Sequence, residues 1–213
     1  MNDGRDIWIS KGRFEGFSDG VFAIAITLLV LGFQPPKLAI VSQPAMVRAL
    51  IDLWPQYVVY AASFATIGIM WFNHYALFHH LRQVSYTALI ANLALLLFVS
   101  FLPFPTLLLG LYGLLPALVF FYSLTFFVIA LCFNVLWYVA TLRHGEHGSL
   151  VGLIRTRNLW NSLGLIAYAL AMGLAAVSPV ASIALIVLMA VYYMLPSTVR
   201  STLVATAAAH VGE

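Results

Sequence analysis

Arg13–Leu31, RFEGFSDGVFAIAITLLVL, places a Ser18-Asp19 pair at the mouth of a helix that then runs almost wholly apolar. An ionisable side chain in or beside hydrocarbon is costly without a partner, and this stretch has no solvated face. It reads as a membrane element that holds a polar site.

The composition agrees. Hydrophobic residues are 63% of the 213 and charged residues 8%, whereas a soluble domain typically carries about 25% charged residues. No alternating strands of ~10 residues occur, so a helical bundle is favoured over a membrane barrel. The one cysteine, Cys132, lies in an apolar run without a partner for a disulfide or CxxC site and reads as packing. The polar N-terminus does not resemble a signal peptide, so the first helix is expected to remain in the mature chain.

Six apolar segments can be read, at about Phe17–Phe33, Leu50–Leu77, Tyr86–Leu109, Leu114–Leu142, Leu159–Val177 and Val180–Leu195, within a single domain of residues 1–213. Most reach the ~20 residues that a span needs. Connections fall at FQPPKLAIVSQPAM, HHLRQVS, LYG, RHGEHGSLVGLIRTRN and VSPV. Pro55, Pro103, Pro105 and Pro116 predict kinks or unwound ends. With a cytoplasmic N-terminus, eight basic residues lie inside (Arg5, Lys11, Arg13, Arg82, Arg143, Arg155, Arg157, Arg200) and two outside (Lys37, Arg48). That asymmetry orients the chain with both termini in the cytoplasm.

At about 100° per residue, Ile24, Leu28 and Leu31 share one stripe, which Phe17 and Gly20 extend, while Ser18 and Asp19 project roughly 120–140° away. The plain reading of the stripe is helix packing or lipid contact, and that of Ser18-Asp19 is a helix start. Partners for the pair are available in Arg13, in Trp71, Asn73 and His74 of the second helix, and in Asn92 of the third. A buried network of these groups would lock the first three helices together. His74 alone reads equally as a packing histidine, and His79 and His80 as a solvated turn.

R-x3-F-S-D followed by A-I-x-I-T-L-L-V-L resembles the first helix of the prokaryotic transmembrane protein 175 potassium-channel family, and the likeness continues in WFNHYALFHH and NLALLLFVSFLPFPT. The resemblance implies an all-α, six-transmembrane-helix bundle that assembles as a homotetramer with the first helix lining a central pore. It also implies a prokaryotic inner membrane and potassium as the permeant ion. No TVGYG-like carbonyl filter occurs in the chain. By position, the resemblance puts the hydrophobic constriction on Ile24, continued by Leu28 and Leu31, and a layer associated with ion preference on Thr27. It assigns Arg13, Phe17, Ser18, Asp19, Trp71, His74 and Asn92 to the supporting polar cluster. The plain reading of Thr27 is a bond back to its own helix.

A ring of Ile24 side chains narrow enough to shed water would gate the pore, and the few hydroxyl ligands predict modest K+ over Na+ selectivity. Asp52 is the one acid available near the outer entrance, and it reads more simply as the N-terminal acid of the second helix. The expected partners are further copies of the chain, membrane lipids and monovalent cations, with no nucleic acid and no cofactor beyond permeant K+. The alternative is a proton-coupled transporter or proton pathway using Asp19 and His74 as relay groups. A metal protein or enzyme built on His74, His79, His80, His144 and His147 lacks ligand spacing and a catalytic grouping, so the chain reads as no enzyme, with no catalytic or metal residues.

Overall fold

The structure, a computed structural model, describes residues 10–36, 38, 40–79, 81, 84–142 and 148–195, with side chains described outside 141–162. Among them the chain is all helical: α1 (Lys11–Leu28) running into a 3-10 turn (Leu29–Gly32), α2 (Gln43–Asp52), α3 (Trp54–His79), α4 (Tyr86–Phe101), α5 (Pro103–Tyr112), α6 (Pro116–Leu142), α7 (Gly148–Val177) and α8 (Pro179–Met194).

Several boundaries depart from the apolar runs, each for a local reason. α1 begins at Lys11, not near Phe17, because Lys, Arg and Glu are good helix formers outside hydrocarbon and Lys11 pairs with Glu15 at 3.6 Å, one turn on. Ser18 is therefore mid-helix and not a helix start. The second apolar segment is two helices, α2 and α3, that meet at Leu53. Asp52 consequently ends α2 and does not begin the spanning helix. The third segment breaks at Leu102, where Pro103 has no N–H to continue the ladder and its ring disfavours the preceding turn. α7 starts at Gly148, some of what reads as a charged loop being helix.

Side-chain caps mark the clean starts. Ser42, Ser85 and Ser178 each accept from the backbone N–H three residues on, at 3.4, 3.2 and 3.3 Å. Pro44 and Pro179 occupy the first turns of their helices, where the missing N–H costs nothing.

Three helical stretches are long and apolar enough to cross a membrane, at Lys11–Gly32, Tyr86–Tyr112 and Pro116–Ala140, and Leu163–Val177 and Pro179–Met194 are shorter apolar helices. Many large apolar side chains point outward, among them Leu31, Leu97, Tyr138 and Leu170. Such a surface suits lipid, and the chain is an integral membrane protein.

α6 packs along α4, α7 and α8, and α3 closes on α8. Phe22, Ile67, Phe78, Leu95, Tyr122, Phe126, Ile129 and Ile186 are fully buried between the helices. Lipid tails are as apolar as leucine, so burial here gains from close packing and interhelical hydrogen bonds rather than from escape from water. Ser63 of α3 bonds Tyr122 of α6 at 2.8 Å and Thr106 of α5 at 3.1 Å. Ser182 of α8 bonds Ser123 of α6 at 3.1 Å and donates to the Ala171 carbonyl of α7 at 2.7 Å. Each such bond is worth roughly 0.6–2 kcal/mol. α1 lies at the edge of this bundle, against α3 and α4.

Candidate functional site

α1 divides cleanly by face. Phe14, Ser18, Phe22, Ala25 and Leu29 are buried, at spacings of three and four that define one stripe. On another face Phe17, Ile24, Leu28 and Leu31 are 58%, 60%, 40% and 68% exposed. Thr27 is exposed as well, and its hydroxyl donates to the Ile24 carbonyl at 2.9 Å. The one proton of that hydroxyl is thereby used within the helix, which leaves its oxygen lone pairs as the group presented outward. Leu31 sits in the 3-10 turn, where the backbone tightens.

Behind the buried stripe runs a directed chain of hydrogen bonds. Ser18 Oγ donates to the Phe14 carbonyl at 3.0 Å. It accepts from Asn92 Nδ2 at 3.0 Å. Asn92 Oδ1 lies 2.8 Å from His74 Nε2. An amide oxygen only accepts, so His74 carries its proton on Nε2 and donates it. All three polar residues are fully or nearly fully buried. The imidazole is enclosed by aromatic rings, with centroids 6.2 Å from Phe14, 5.5 Å from Phe22 and 4.7 Å from Phe78.

Asp19 belongs to a separate contact. One residue past Ser18 it turns about 100° away, to an exposed position where Oδ1 accepts from Trp71 Nε1 at 2.8 Å. Trp71 and His74 are three apart in α3 and therefore neighbours on its surface. One helix thus grips α1 twice, at Asp19 and, through Asn92, at Ser18.

The structure does not bring every predicted member together. Arg13 and Phe17 are exposed, and the Arg13 side chain makes no hydrogen bond or ion pair with a described residue. Asn73 stays apart from the Ser18–Asn92–His74 chain and lines a cavity between α3, α6, α7 and α8. His80, His144 and His147 lie outside the described residues, among which no three His, Cys, Asp or Glu gather as a metal site.

Two features are absent from the sequence reading. One is the Phe14, Phe22 and Phe78 box around His74. The 14, 18, 22, 25, 29 spacing on the face away from Ile24 was the signal for its α1 members. The other is at the far end of α1, where Gln56 Nε2 donates to the Gly110 carbonyl at 2.9 Å. There a Cβ on Gly110 would lie 2.9 Å from the Gly32 carbonyl oxygen. Glycine alone lets α5 approach the 3-10 turn so closely.

The sequence profile described as endosomal/lysosomal potassium channel TMEM175 matches residues 13–103. The chain is 44% identical over 129 residues to "Potassium channel Cha6605_3372" of Chamaesiphon minutus, a match spanning 59% of this chain and 64% of that protein, just under two thirds of its length. It is 38% identical over 191 residues to "Potassium channel B446_29190" of Streptomyces collinus, spanning 86% of this chain and 91% of that one. The crystal structure of a lysosomal potassium-selective channel TMEM175 homolog from Chamaesiphon minutus superposes with a TM-score of 0.75 at 35% identity, covering 86% of this chain and 95% of that one.

Proposed function

The chain belongs to the TMEM175 family of channels, and on that premise we propose that it forms a potassium-permeable cation pore, gated by the apolar face of α1. The observation that carries this is the division of α1. One stripe is tied into the bundle by buried polar bonds, and a row of large apolar side chains is left largely uncovered by its own subunit.

A single such face cannot enclose a path, so symmetry mates must complete it. In the proposed homotetramer Ile24 side chains form the constriction, with Leu28 and Leu31 continuing the wall outward. A narrow apolar ring sheds water and stops ions, and a small rotation of α1 widens it. Ser18 and Asp19, held by α4 and α3, set that rotation. Thr27, its proton donated to Ile24, offers an oxygen acceptor to a passing cation. One oxygen layer supplies fewer ligands than a carbonyl filter, which accords with modest K+ over Na+ selectivity.

The proposed subunit crosses the inner membrane six times, through α1, α3, α4 with α5, α6, α7 and α8, with both termini in the cytoplasm. Permeant K+ and membrane lipids are its partners beside its own copies. A relay through Asp19 and His74 gains no support from the geometry: the two belong to separate contacts, and the chain from His74 ends on a backbone carbonyl.

The test is ion flux into liposomes carrying purified protein under K+, Na+ and H+ gradients. Potassium flux exceeding sodium flux, without coupling to a proton gradient, is the expected result. Flux obligatorily coupled to protons overturns it in favour of a transporter.

A further inference from the structure

Asn73 lies in α3 between Trp71 and His74, yet its own amide takes no part in the contacts to α1 and makes no hydrogen bond with a described residue. An unpartnered amide in a membrane-spanning helix is costly and calls for an occupant beside it. It faces a cavity of about 40 Å³ whose lining includes Thr66, Met70, Phe133, Asn134, Tyr168 and Tyr193. No residue of α1 lines this space, which is separate from the exposed Ile24 face.

The chemistry of the lining is specific. Among otherwise apolar lining, the Asn73 and Asn134 carboxamides reach it from α3 and α6 with Tyr168 and Tyr193 nearby, the Thr66 hydroxyl being bonded to the Ala62 carbonyl at 2.8 Å, and there is no charged group among them. Asn134 uses one amide proton on its own helix, at the Ala130 carbonyl 2.8 Å away, and its carbonyl oxygen remains to accept. A cavity holds a water when it has about 10–15 Å³ of room and two to four polar partners. The space exceeds that minimum, so it has room for water, whereas a lipid chain would leave the amides unpaired.

We propose that this cavity is a water site, in which a small cluster of ordered waters bridges Asn73 of α3 to Asn134 of α6 inside each subunit. At this level α3 is then held to α1 by the direct Trp71–Asp19 bond and to α6 by water, while further along the helix the buried Ser63–Tyr122 bond joins α3 to α6 directly. Bridged contacts of this kind keep their hydrogen bonds while the groups on either side shift. The hydrated level of the α3–α6 contact, at Asn73, is accordingly where the two helices shift past each other most easily.

The experiment is radiolytic hydroxyl-radical footprinting of the full chain in lipid nanodiscs, read residue by residue by mass spectrometry. Radicals arise from water, so labelling reports water beside a side chain. Phe133 and Tyr168 line the cavity, while Phe126 and Tyr122 are chemically matched controls with no exposed surface. Labelling several-fold faster at Phe133 than at Phe126, and at Tyr168 than at Tyr122, is expected. Asn73→Leu should return both to the control rates. Equal rates in the unmodified protein mean a dry or lipid-filled cavity and overturn the proposal, a comparison that stands whether or not the variant folds. Undiminished labelling in an assembled Asn73→Leu protein overturns it too, since the water is then not held by Asn73.

Discussion

Trp71 donates its indole N–H to Asp19 Oδ1 at 2.8 Å, and the carboxylate remains exposed in the subunit while its neighbour Ser18 is fully buried. The pair that reads as one polar site is therefore two devices. Ser18 fastens α1 to α4 through Asn92, and Asp19 fastens it to α3 at the rim, where other copies of the chain can approach.

Trp71→Phe keeps an aromatic ring at the position and removes the N–H donor, together with the fused second ring. The freed carboxylate stays solvated in the isolated subunit, so subunit stability should fall by less than about 1 kcal/mol. Asp19→Ala should reduce the assembled fraction more than the conductance of each pore that still forms. Size-exclusion profiles and single-channel recordings of both variants check this; an intact assembly with altered selectivity alone would remove Asp19 from its anchoring role.

Asn92→Leu removes both links of the buried chain at once, stranding His74 Nε2 and leaving Ser18 Oγ only its bond to the Phe14 carbonyl. Each buried polar group left unpaired costs about 1–3 kcal/mol. Ser18→Ala strands only the Asn92 amide and should cost less. Thermal melting of the purified proteins should rank unmodified above Ser18→Ala above Asn92→Leu. The opposite order for the two variants would mean that the chain is not what holds α1 against α4.

Ile24→Asn should raise cation flux in liposomes several-fold by letting water stand continuously in the constriction, and Ile24→Ala should do so by widening it. Unchanged flux from protein shown to be assembled takes Ile24 out of the gate. Thr27→Val keeps the shape and removes the oxygen, so the K+ to Na+ permeability ratio should drop while resting flux stays put. An unchanged ratio reduces Thr27 to its bond with the Ile24 carbonyl.

The sequence carried the helical membrane class through composition, and the opposed placement of Ser18 and Ile24 through the angle between them. It did not separate Ser18 from Asp19 in role, because adjacent residues diverge by about 100° and only the positions of α3 and α4 decide which one is covered. Phe14, Phe22 and Phe78 were illegible as the setting of His74, since a phenylalanine in an apolar helix looks alike whether it meets lipid or imidazole. Helix ends were misplaced wherever apolarity stood in for helicity. Lys11–Gly16 and the start of α7 are helical although polar, and the break at Leu102 interrupts an apolar run because of Pro103.

The C-terminal end of α1 supplies the last prediction. Gly110 approaches so near that a Cβ there would sit 2.9 Å from the Gly32 carbonyl oxygen, a distance real side chains do not adopt. Gly110→Ala must therefore move α5 or the 3-10 turn, and the turn is the weaker element, being four residues long in a helix type whose hydrogen-bond geometry is poorer than that of an α-helix. Its displacement carries Leu31, so single-channel conductance should change, with a loss of stability of about 1–3 kcal/mol if the contact does not relax. Gly173→Ala is the control, because a Cβ there meets nothing within 4 Å. Equal conductance and melting in the two variants would show that the Leu31 end of the α1 face does not depend on the Gly32–Gly110 contact.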